Sequence, residues 1–230
     1  MRFNSDPVLI AALIAAASIQ LWAARRLPHR HLFCGLSGWM IAAAAFLSPL
    51  CALSVALFAA RVAQHMILVL VAAPLIAVGL PDHAPRAVWP LWSSAFAFFI
   101  SLWFWHMPLP YDATFYSVAV YWCMHLTLFG SAVWFWYALM HHERAHVVDA
   151  FAAGMLTSIQ MGMLGAFLSL GDHALFRWHL VTTWAWHLTP LEDQQLGGVL
   201  MWVPGIVIFL WVALRSLARL WAALDGVRSA

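Results

Sequence analysis

Apolar runs long enough to cross a bilayer follow one another along almost the whole of this chain, and no other feature restricts its fold so tightly. A hydrocarbon core of about 30 Å takes about 20 apolar residues per helix. Laid along the sequence, that ruler gives spans at about 7–24, 32–50, 54–79, 88–106, 116–140, 147–170 and 195–217. Only Ser48-Pro49 and Ser54 interrupt the run between the second and third. Pro74 and Pro204 fall inside the third and seventh, where neighbouring helices can satisfy the freed carbonyls. Of the 230 residues 65% are hydrophobic and 9% charged, against roughly 25% charged in a soluble domain. A net charge of +2 offers no electrostatic footprint for nucleic acid. The expectation is an all-α polytopic membrane protein: one transmembrane domain over residues 1–230, a seven-transmembrane-helix bundle with the lipid bilayer as its surroundings.

Arginine sets the direction. Arg25, Arg26 and Arg30 follow the first apolar run instead of preceding it, so that run reads as a span and not as a cleaved signal peptide. With Arg86, Arg144, Arg215, Arg219 and Arg228 they lie on one side of the membrane, against Arg2, Arg61 and Arg177 on the other. The positive-inside rule then predicts an external N-terminus and a cytoplasmic C-terminus. In the sixth span, Gly154, Ser158, Gly162 and Ala166 recur every four residues, a pattern that lets helix backbones approach closely. Cys34, Cys51 and Cys123 lie far apart without CxxC spacing and read as small buried hydrophobes.

The chain holds 12 histidines. His29, His31, His83, His141, His142 and His146 fall in or beside cytoplasmic loops, where solvation is the simplest account. Solvation also suits His106 at the end of the fourth span and His173, His179 and His187 in the long sixth loop. His65 and His125 differ, because they lie inside the third and fifth spans. At about 1.5 Å per residue they sit about 16 Å from Ser54 and about 13 Å from Tyr116, at similar depth from the outer face. An ionisable group at that depth marks a functional site by default.

Residues four apart share a helix face. Arg61 therefore lies over His65, and Tyr121 over His125; Gln160 accompanies Met163, and Asp193 lines up with Gly197 and Met201. Imidazole with thioether suits copper(I), while imidazole alone also suits copper(II) or zinc. Interhelical hydrogen bonding by the histidines is the plainer alternative, and Arg61 is placed to pair with Asp193. A haem with His65 and His125 as axial ligands, and a ligand-free scaffold, also remain open. No carboxylate lies deep in a span, and no nucleophile elbow, phosphate loop or HExxH occurs, so no enzyme is expected.

Three motifs carry a resemblance. The stretch Gln64-His65-Met66 through Ala73-Pro74-Leu75 to Gly79-Leu80-Pro81 resembles the third span of the seven-helix CtaG family of bacterial cytochrome c oxidase assembly factors. Trp105-His106-Met107-Pro108 with Tyr111-Asp112-Ala113 is similar to that family's outer loop after span four. Asp193-Gln194-Gln195-Leu196-Gly197-Gly198 running into Met201-Trp202 is similar to its signature at the start of span seven. The chain departs from the family's pattern at Arg61 and Val62, where members often carry histidine and methionine. The resemblance implies a multi-pass protein of the bacterial inner membrane. It would work with cytochrome c oxidase subunits and handle copper on the periplasmic side. By that resemblance His65, His106, His125 and Asp193 would be its functional positions, to which the helical spacing adds Met163 and Met201 as thioether candidates. Arg61, Tyr121 and Gln160 would be their polar support.

Overall fold

A computed structural model describes residues 3–82, 89–142 and 146–228, and their regular structure is entirely helical. Arg2, His83, Arg86 and Arg144 of the charge and histidine readings lie outside the described residues. The order is α1 (Pro7–Ala24), α2 (His29–Leu47), α3 (Pro49–Ala56), α4 (Phe58–Ile67), a π-helical segment (Leu68–Ala72) and α5 (Ala73–Val78). There follow α6 (Trp89–Trp105), α7 (Pro108–Tyr116), α8 (Val118–His142), α9 (Val147–Ser169), α10 (His179–Thr182) and α11 (Pro190–Arg228). Proline opens α1, α3, α7 and α11, where its missing N–H costs nothing.

Among the described residues, six helices are long and apolar enough to cross a membrane: Pro7–Ala24, His29–Leu47, Phe58–Val78, Val118–His142, Val147–Ser169 and Pro190–Val212. Pro90–Trp105 is a shorter apolar helix. Two boundaries differ from the sequence expectation. Residues 49–56 belong to neither the second nor the third span but form the separate α3, cut from α4 by the extended Leu57 (φ −126°, ψ 133°). Likewise α7 is cut from α8 by the extended Ser117 (φ −142°, ψ 120°). Hydropathy cannot register such a break, because one residue, Leu57 or Ser117, turns the chain with too little polarity to interrupt an apolar run.

Pro74 sits just after the π-helical turn. The Ala73 N–H bonds back five residues to the Leu68 carbonyl, so at the same spacing the carbonyl that Pro74 leaves without a donor is that of Val69. The Trp136 indole Nε1–H donates to that carbonyl at 2.8 Å. A proline inside a span is tolerated here because the next helix supplies the lost bond.

The continuous helix α4–α5 is the most buried of the spans. It packs against α11, α2 and α8, while α9 lies along α11 and α1 leans mainly on α2. The close approach of α9 to α11 occurs at Gly165 and Gly198. A Cβ on Gly165 would lie 2.9 Å from the Gly198 carbonyl oxygen, and one on Gly198 2.7 Å from that of Gly165. The expected contact stripe is thus displaced: a Cβ on Gly154 would meet nothing within 4 Å.

Candidate functional site

The short helices α3 and α7 lie at one end of the bundle, and each hands over to a span through one extended residue. His65 is seven residues into α4 and His125 seven residues into α8. Both rings therefore sit about 10 Å below their helix starts, which shortens the expected depths and makes them equal.

Asp193 governs where α4 begins. Leu57 offers no side-chain cap. The Phe58 N–H instead donates to Asp193 Oδ2 at 2.6 Å and the Ala59 N–H to Oδ1 at 3.1 Å. A carboxylate from α11 thus caps the neighbouring helix, favourably placed against its positive end. Gly197, one turn further along α11, admits the Phe58 ring, since a Cβ there would come within 2.4 Å of it.

Three imidazoles meet below this cap. The His65 ring centroid lies 5.2 Å from that of His125 and 6.2 Å from that of His106, both edge to face. All three are buried, at 2%, 3% and 5% exposure for His65, His125 and His106, so solvation does not account for His106. His125 Nδ1 lies 3.0 Å from the Tyr121 carbonyl and His106 Nδ1 2.7 Å from that of Leu102. A carbonyl oxygen only accepts, so Nδ1 carries the proton in both rings and Nε2 presents a bare lone pair. That is the tautomer in which a histidine binds a metal through Nε2. His125 Nε2 and both nitrogens of His65 are buried without a hydrogen-bond partner. The crevice lined by His65, Leu68, Val69, His125, Leu128 and Phe129 has no space that would admit a water molecule. Among the described residues, no group of three or more His, Cys, Asp or Glu is arranged to hold a metal ion.

Arg61 lies one turn from His65 and is 1% exposed. Its Nε donates to the Ser54 carbonyl at 3.1 Å and its Nη1 to the Thr114 hydroxyl at 2.6 Å. The guanidinium carbon stands 4.0 Å from the Phe115 ring centroid, 5.0 Å from that of Tyr111 and 6.0 Å from that of Tyr121. The ion pairs of the described residues are His141 with Asp82 and His173 with Asp172, so the Arg61–Asp193 pairing does not form. Aromatic faces and neutral oxygens surround this charge.

Of the other expected positions, Tyr121 lies against His125 with centroids 4.4 Å apart. Gln160 is held apart from the imidazoles as acceptor of the Trp103 indole N–H at 2.9 Å. Met163 is 60% exposed on the outer surface of α9, and Met201 is buried in the apolar core. Both Asp193 oxygens are committed to the α4 cap, so the histidines gather without the expected carboxylate.

Some residues escaped the sequence reading. His179, expected in solvent, is buried although it belongs to the sixth loop. Its Nδ1 lies 3.2 Å from the Ala56 carbonyl, and its Nε2 accepts from the Tyr111 hydroxyl at 2.8 Å. Burial pushes its pKa down to about 4. His142 is also buried, with Nδ1 2.8 Å from the Ala138 carbonyl. Thr114 and Phe115, which hold Arg61, carried no sequence signal.

Compared with known protein families, residues 12–223 match the one described as cytochrome c oxidase caa3 assembly factor (Caa3_CtaG). No curated protein and no solved structure matches the chain.

Proposed function

Since the chain belongs to the Caa3_CtaG family of cytochrome c oxidase caa3 assembly factors, we propose that it is a non-catalytic membrane factor that takes up one copper(I) at its histidine end and passes it to the oxidase. In this reading all seven apolar helices cross the bacterial inner membrane, Pro90–Trp105 included. The arginine asymmetry supports a cytoplasmic Arg25-Arg26 turn and C-terminus, and with them a histidine end at the periplasmic face.

The observation that carries the proposal is the unpartnered His125 Nε2 beside a His65 ring that has no partner at either nitrogen. Buried polar atoms are ordinarily satisfied by protein or water, and this crevice has no room for water. A copper ion bonded directly to nitrogen needs much less space. Imidazole suits copper(I), and one or two facing nitrogens give the low ligand number that permits rapid exchange. The same narrowness argues against haem, whose macrocycle would have to pass between rings 5.2 Å apart. The fixed charge of Arg61, one turn away, weakens the hold on any cation and so favours release.

Copper as cargo requires that the purified protein bind about one equivalent of copper(I) and that His65→Ala combined with His125→Ala abolish it. Metal analysis with unchanged copper in a folded double variant rejects the reading. The scaffold alternative predicts a metal-free protein whose thermal stability ignores added copper.

A further inference from the structure

Cys51 is half-buried on α3, one of the two short helices at the histidine end of the bundle. The Tyr121 hydroxyl lies 3.7 Å from its Sγ and the Asn4 amide nitrogen donates to it at 3.9 Å. A lone thiol carries no function by itself. What distinguishes this one is the company around the Tyr121 ring. The sulfur meets the hydroxyl of that ring, the His125 imidazole lies against its face with centroids 4.4 Å apart, and the Arg61 guanidinium stands 6.0 Å from its centroid. Beyond it lie the unpartnered, buried nitrogens of His125 and His65.

We propose that Cys51 is the entry ligand for copper(I), a soft thiolate that takes the ion from a donor outside the membrane and yields it past Tyr121 to His125 and His65. This rests on the copper reading above and adds the place where the ion first binds. Thiolate is the softest donor the chain can offer copper(I), and imidazole is a harder one. Charge supports the same order. A second cation brought near the buried Arg61 is opposed, but one that arrives on a thiolate is neutralised as it enters. The step balances without redox chemistry. The thiol gives its proton to solvent as the sulfur–copper bond forms, that bond breaks as a nitrogen–copper bond replaces it, and the sulfur takes a proton back. Copper remains copper(I) throughout.

The test is stopped-flow transfer of copper(I) from its coloured bicinchoninate complex to the purified full-length protein. The expected result for Cys51→Ser is a loading rate at least tenfold slower, with final occupancy unchanged. Alkylating the native thiols should slow wild type to a similar degree and leave the Cys51→Ser protein no slower, which controls for misfolding of the variant. If wild type loads and the paired histidine substitutions prevent loading, while Cys51→Ser loads at the wild-type rate, the entry role is wrong and the copper reading stands. If wild type takes no copper from the complex, both fall together.

Discussion

Both ring nitrogens of His65 and the Nε2 of His125 are buried without a partner, where ordinary buried histidines are bonded. Their presence in apolar spans was legible in the sequence, because an ionisable side chain stands out against hydrocarbon. The tautomers of His125 and His106 were not, since they depend on carbonyls one turn back. Asp193 was the instructive misreading. Its place on one stripe with Met201 suggested a ligand, yet it serves a helix distant in sequence. The need for such an acceptor shows only in the fold, where α4 starts at Leu57 without a side-chain cap of its own. Arg61 belongs to the same scale: its repulsion predicts that Arg61→Met raises copper(I) affinity on the order of tenfold, by Coulomb interaction across a partly polar interior. Competition titration against a copper(I) chelator measures this, and a weaker affinity in a folded variant would contradict it.

The elements explain why the rings converge. Two short helices, α3 and α7, each end in one extended residue and deliver their spans with a histidine at the same offset. Hydropathy found the spans but absorbed α3 into its neighbours, because the residues of α3 are as apolar as theirs. Gly197 makes the seating of α4 against α11 possible, as the Phe58 ring occupies the space a methyl group would need. Gly197→Ala should therefore destabilise the protein by about 1–3 kcal/mol through overpacking. A thermal melt in detergent reads this as a lowered Tm; an unchanged Tm would show that the contact yields freely.

For the whole molecule, the all-helical organisation and the run of long apolar helices followed from composition and run length alone, six such helices standing among the described residues. What no single sequence displays is which helices are neighbours, so the displaced α9–α11 contact at Gly165 and Gly198 became evident only from the fold. The proposed orientation has a direct check. With Cys34, Cys51 and Cys123 replaced by serine, a cysteine introduced at the exposed Asp172 should react with a membrane-impermeant maleimide in intact cells, and one at the exposed Arg26 only after lysis. The reverse pattern would put the histidine end on the cytoplasmic side and remove the periplasmic role.

X-ray absorption at the copper edge, on protein loaded with one equivalent of copper(I), probes the proposed centre most directly. A low-coordinate shell of imidazole nitrogens that disappears in the His65→Ala, His125→Ala protein is the predicted result. A sulfur-dominated shell, or a nitrogen shell that survives both substitutions, would contradict it.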